Sequence, residues 1–152
     1  MKKFICSFKE LTNDQLYDLL KLRQDVFVIE QNCIYQDFDG YDKKAIHFLI
    51  YQDGLLAAYS RIFAPGIKYE TDSSIGRIIV SKQFRGKDFG SILISESISY
   101  IYDMYPLSKI RIEAQALLED YYEGFGFKSQ SAIYAVDGID HIEMIYTSKN
   151  SS

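Results

Sequence analysis

The stretch Ile75-Gly76-Arg77-Ile78-Ile79-Val80-Ser81-Lys82-Gln83-Phe84-Arg85-Gly86-Lys87-Asp88-Phe89-Gly90-Ser91-Ile92-Leu93-Ile94 decides how this chain is read. An apolar, β-branched run leads into a short basic turn with two glycines, and an amphipathic segment follows. The order is buried strand, glycine turn, helix. A helix start presents unpaired backbone N–H groups and the positive end of the helix dipole. With Arg85, Gly86, Lys87 and Gly90 gathered there, the segment reads as an anion site, most simply for phosphate.

Outward from this unit the pattern alternates. Residues 74–80 are its strand, and its helix runs to about Met104, with Pro106 closing the region. Lys109 to Ala114 alternates apolar and polar and reads as a strand. Leu117 to Phe125 is a short helix stopped by Gly126. Phe127 to Ala135 and Ile139 to Thr147 form a hairpin about Asp137-Gly138. Upstream, residues 2–8 read as a strand, and Thr12 or Asn13 caps a helix that runs to about Glu30, with Leu16, Leu19, Leu20, Val26 and Phe27 near helical spacing. Residues 31–44 are a polar, acidic, aromatic loop. Ala45 to Tyr51 and Leu55 to Phe63 pair about Asp53-Gly54, and Pro65-Gly66 opens a loop over 66–73. The succession βαββ, βα, βα, ββ describes a mixed sheet with helices packed on it. The 152 residues favour one domain, spanning 1–152, with no internal repeat.

Composition narrows the classes of function. Hydrophobic residues are 47% of the chain and support a real core, while a net charge of -4 speaks against a nucleic-acid-binding face. No apolar run is long enough to span a membrane, and Met1-Lys2-Lys3-Phe4 has no apolar segment behind it to make a signal peptide. The two cysteines, Cys6 and Cys33, have neither metal-ligand spacing nor a disulfide framework, so no metal is expected and a cytoplasmic home is natural. Cys6 alternates with apolar neighbours and reads as a small buried hydrophobe. The tail Lys149-Asn150-Ser151-Ser152 is expected to fray. With 13 Tyr and 10 Phe, aromatic residues are numerous enough to fill a core or to cover a homodimer surface.

Arg85-Gly86-Lys87-Asp88-Phe89-Gly90, set in this order of elements, resembles the GNAT superfamily of N-acetyltransferases. There the pattern Gln/Arg-x-x-Gly-x-Gly/Ala binds the pyrophosphate of acetyl-CoA. Asp88 departs from it, standing where glycine is usual. Asp120-Tyr121-Tyr122-Glu123-Gly124-Phe125-Gly126-Phe127 resembles the later family motif Tyr-x-x-x-Gly-Phe. Leu22 to Asp42 and Asp137-Gly138-Ile139-Asp140-His141-Ile142-Glu143-Met144 are similar to the ElaA-like branch. The resemblance covers roughly residues 4–146. It implies an α/β (α+β) fold: a mixed, mostly antiparallel sheet of six or seven strands, splayed between the fourth and fifth, flanked by about three or four helices.

The resemblance also implies a chemistry: direct transfer of an acetyl group from acetyl-CoA to a primary amine of a small molecule or peptide. Ile78, Ile79 and Val80 offer backbone to the pantetheine arm. Arg85, Gly86, Lys87, Asp88, Phe89, Gly90 and Ser91 form the pyrophosphate turn, and Gln115 stands where the family often has Asn. Tyr122 matches the residue that protonates the leaving thiolate. Glu30, Asp37, Asp39, Glu113 and His141 are candidates for the amine base, with His141 suited by its ordinary pKa; as a strand-end residue it also fits a hydrogen bond to a backbone carbonyl. Glu30, Gln31, Asp37 and Asp39 are expected to face the acceptor, the aspartates selecting a cationic amine. Two alternatives stay open: a CoA-binding sensor or interaction domain without turnover, and an enzyme like the acyl-homoserine-lactone synthases, whose N-terminal Trp is missing here.

Overall fold

Two Asp-Gly turns set the two hairpins. Asp53 and Gly54 have φ of 54° and 76°, and Asp137 and Gly138 have 50° and 78°. Left-handed conformation at both central residues matches the twist of paired strands, which is why such turns are short. In the computed structural model, which describes residues 1–147, these turns join β2 (Ile46–Gln52) to β3 (Leu55–Phe63) and β7 (Tyr134–Val136) to β8 (Ile139–Tyr146). The tail from Lys149 lies outside the described residues.

The remaining strands are β1 (Lys2–Ser7), β4 (Ser73–Val80), β5 (Ile110–Gln115) and β6 (Lys128–Ser129). They form one sheet in the order β1-β2-β3-β4-β5-β8-β6, with β7 also on β8. Every pairing is antiparallel except β4 with β5. The strands number eight because the segment 127–135 divides. The Ser131 hydroxyl accepts the backbone N–H of Glu143 at 3.0 Å, and a side chain thus replaces a ladder carbonyl between β6 and β7.

Helices cover both faces. The helix α1 (Asn13–Arg23) starts at a capping box in which Thr12 and Gln15 satisfy each other's backbone N–H. Its Leu19 and Leu22, with Val26 just beyond its end, pack against Leu49, Tyr59 and Ile79. On the other face α2 (Phe89–Met104) packs Leu93, Ile94 and Ile101 against Phe48, Ile50, Ile62, Ile75 and Ile112. The period-two alternation of β2 supplies both layers: Phe48 and Ile50 to one, Leu49 to the other. A short α3 (Glu119–Glu123) follows a 3-10 turn at Ala116–Leu118.

Two local readings change. The first helix reaches Glu30 as expected, but from Gln24 it widens into a π-helix, a geometry that concentrates at functional sites. Phe4, Ile5 and Cys6 are less covered than their pattern suggests, because β1 is an edge strand; Cys6 is half-buried, and burial pushes its thiol pKa up. Among the described residues, no helix is long and apolar enough to cross a membrane.

Candidate active site

The site begins where β4 leaves β5. The two strands pair only at Ser73 with Ile110 and Ser74 with Arg111. Beyond Ser74 they diverge, so the β5-facing backbone edge of β4 has no ladder partner. The divergence is sharpened by a bulge: Arg61 pairs with Gly76 and Tyr59 with Ile79, so Arg77 and Ile78 together oppose Ser60. Arg77 sits at φ 48°, a strained conformation for a residue with a long side chain. Its side chain is clamped. Nε donates to Asp37 Oδ1 at 2.8 Å and Nη2 to the Asp37 carbonyl at 3.1 Å, while the guanidinium lies 5.6 Å from the Tyr35 ring. A cavity of about 440 Å³ fills the divergence.

At one end of β4 lies the basic turn. Gly86 is left-handed at φ 76°, and so is Asp88, at φ 66° and ψ 5°. Asp is among the few non-glycine residues that tolerate this region. The backbone therefore keeps the shape that glycine gives elsewhere in the pattern, and the Asp88 side chain is exposed and caps nothing. Phe89 turns inward and packs edge-on against Phe84 at 5.4 Å. A Cβ on Gly90 would stand 2.8 Å from the Tyr121 hydroxyl and 3.4 Å from Val80 Cγ2, so the turn, α3 and β4 meet at this glycine. Arg85 spans the same junction, with Nε donating to the Val80 carbonyl at 3.1 Å and Nη2 paired with Glu30 at 2.9 Å. Glu30, expected beside the acceptor, thus stands at the rim of the basic turn.

The cavity wall gathers Gln31, Ile78, Glu113, Gln115, Tyr122 and His141. Tyr122 is 6% exposed and edge-on to Tyr121 and Phe127. Burial pushes its phenol pKa well above the ordinary value, with the neighbouring Tyr121 adding to the shift. His141 faces Gln115 across the β5–β8 ladder. Its Nδ1 lies 2.7 Å from the Ile139 carbonyl, which can only accept, so Nδ1 is the donor there and Nε2 is the ring nitrogen left out of that bond. The carbonyl bond and a basic nitrogen are therefore compatible. Gln115 Nε2 donates to Gln31 Oε1 at 3.4 Å, and Glu113 Oε2 accepts from the Tyr134 hydroxyl at 2.8 Å.

Asp37 and Asp39 have a different surrounding from the one expected. Asp37 accepts from Arg23 Nε at 2.9 Å, Arg77 Nε at 2.8 Å and the Tyr35 hydroxyl at 2.7 Å. Asp39 takes both Nη groups of Arg61, at 2.8 and 2.7 Å. Asp42 completes the cluster, joined to Arg23 at 2.6 Å and Arg61 at 3.1 Å. Burial alone would raise the Asp39 and Asp42 carboxyls; the arginine hydrogen bonds outweigh it and hold both below the carboxylate range. These carboxylates face guanidinium groups and neutralise them. Arg23, Arg61 and Arg77 escaped the motif-based reading, although an arginine at a core position of a helix or an apolar strand is itself a signal of a buried ion pair.

An unpaired β4 edge, a basic left-handed turn at a helix start and a cavity holding a phenol and an imidazole define an acyltransferase of the GNAT class. The chain belongs to that family: residues 13–148 match the acetyltransferase (GNAT) domain. It is 41% identical over 140 residues to the protein ElaA of Escherichia coli, covering 89% of each chain, and 38% identical to a UPF0039 protein of Synechocystis, covering 91% of this chain and 90% of that one. The crystal structure of E. coli ElaA superposes with a TM-score of 0.90 at 37% identity, over 96% of this chain and 99% of that one. An acyl-CoA N-acyltransferase from Pseudomonas aeruginosa does so with a TM-score of 0.90 at 34% identity, over 97% and 100%. The fold is one that binds acyl-CoA.

Proposed function

We propose that the chain transfers the acetyl group of acetyl-CoA directly to the primary amine of a small molecule or peptide. What supports the reading best is continuity: the basic turn touches Tyr121 and Val80 through Gly90, and the neighbouring Tyr122 opens onto the cavity beside the free edge of β4. Bound acetyl-CoA supplies an acyl thioester with a thiolate leaving group. The backbone N–H groups of residues 86–91, with Lys87, bind its pyrophosphate. The unpaired edge at Ile78, Ile79 and Val80 accepts and donates hydrogen bonds along the pantetheine arm, with Gln115 on the opposite wall.

A β4 N–H at Ile79 or Val80 polarises the thioester carbonyl; loss of one such donor in other enzymes costs about 2.7–4 kcal/mol. His141 Nε2 takes the proton that the amine must lose. Tyr122, kept as a neutral phenol by burial, donates its proton to the departing thiolate. The test is release of free thiol from acetyl-CoA with a panel of primary amines. Amine-dependent release is expected. Tight CoA binding with no release across the panel would contradict transfer and leave a CoA-binding module.

A further inference from the structure

On the β3 side of the cavity the charges do not cancel. Arg23, Arg61 and Arg77 are matched by Asp37, Asp39 and Asp42, and Lys68 comes on top of that balance. Lys68 lines the cavity, and no carboxylate among the described residues lies within ion-pairing distance of it. Its ammonium instead sits 4.3 Å from the centre of the Tyr41 ring and 5.8 Å from that of Phe63. The same Phe63 ring carries the Arg61 guanidinium at 4.9 Å, and the two aromatic rings meet edge-on at 5.9 Å. Arg61 contributes a second unmet demand: its Nε–H is buried without an acceptor. Partial burial lowers the Lys68 pKa, with Arg61 and Arg77 adding to the shift and Asp39 and Glu113 opposing it. The opposite wall, along β5, β8 and the turn that leads into β8, carries Glu113, Asp137 and His141. The cavity is thus polarised, cationic on the β3 side and acidic or basic on the β5–β8 side.

We propose that Lys68, Arg61, Tyr41 and Phe63 form a carboxylate subsite, so that the acceptor is an amine that also bears a carboxylate, in the manner of an amino acid. Its carboxylate docks on the Lys68 ammonium, and its amine lies toward Glu113 and His141. A polyamine fits poorly, because its second ammonium would meet the positive corner while Asp37 and Asp39 are already held by arginines. The proposal rests on the amine-acceptor reading above, and binding separates the two. Calorimetric titration of the CoA-loaded protein with L-leucine, L-leucinamide and isoamylamine, and with L-phenylalanine, its amide and 2-phenylethylamine, reads the subsite without turnover. In at least one series the carboxylate member should bind about tenfold tighter than its amide and amine, and Lys68→Met should erase that ratio. Carboxylate-dependent binding without thiol release from acetyl-CoA would uphold the subsite and defeat transfer. Amines or amides bound as tightly as the acids, a ratio that survives Lys68→Met, or no binding by any of the six would overturn the subsite. Release with amines alone would meanwhile leave transfer standing.

Discussion

Asp88 shows how one residue can break a motif and keep its left-handed backbone. The glycine pattern serves a left-handed backbone, and aspartate adopts that backbone at φ 66°. The charge is the part glycine lacks, and it sits exposed at the turn that would hold a diphosphate. Asp88→Asn keeps the conformational tolerance and removes the charge. It should tighten CoA binding several-fold at low salt, with a smaller gain at high salt, as calorimetric Kd values would show. Tyr122 tests the other end of the site. Tyr122→Phe retains the ring packing on Tyr121 and Phe127 and removes the donor; kcat should fall by about 100-fold or more while the Kd for CoA stays within twofold. Unchanged turnover would take the proton donor away from this residue. At this scale the places of Tyr122, Gln115 and His141 on one cavity wall were legible, because each sits in a local pattern. The arginine partners of Asp37 and Asp39 were not, because Arg23, Arg61 and Arg77 lie 14 to 40 residues away in the chain.

Among the elements, the loop between the π-helix and β2 acts as a strut. Asp37 holds Arg23 at the end of α1 and Arg77 in the β4 bulge, so one loop residue ties the helix to the opened strand. Breaking the strut leaves the fully buried Arg23 guanidinium with Asp42 as its remaining carboxylate, and Arg77 with Asp39 at 3.5 Å. Asp37→Ala should cost about 3–5 kcal/mol in a urea denaturation series, far more than a surface ion pair such as Arg85–Glu30 would. The hairpins and the strand–turn–helix unit were readable because Asp-Gly turns and period-two alternation are local signals. The division of β6 from β7 was not, since it depends on a single serine hydroxyl that intercepts a ladder N–H on another strand. The π-helix was hidden for a similar reason: apolar spacing near 3.6 does not resolve one added residue per turn.

For the whole molecule, acid stability follows from the buried cluster. His47 is fully buried, with Nε2 donating to the Asp42 carbonyl at 2.8 Å and Nδ1 accepting from the Tyr59 hydroxyl at 2.6 Å. Burial pushes its pKa below the ordinary histidine value. The unfolded chain therefore takes up a proton that the folded chain refuses, and stability falls as pH drops below about 6.5. Asp39 and Asp42 are also lowered, so their stabilisation is present above the unfolded carboxyl pKa and is lost as pH falls below about 4. Urea midpoints between pH 7 and pH 3 should fall in two stages, and His47→Gln should flatten the upper one alone. The architecture of the sheet was legible almost throughout, because alternation and turns repeat along the chain; the polarity of the cavity was not, because it emerges only when β3, β5 and β8 face one another. The central claim is that acyl-CoA lies in the opening between β4 and β5, with its phosphates on the α2 turn. Titrating CoA into the isotopically labelled protein and following backbone amide resonances tests it most directly. The account predicts the largest shifts at residues 78–80 and 86–91, with Gln115 and Tyr122 following. Shifts confined to another face, or none at saturating CoA, would contradict it.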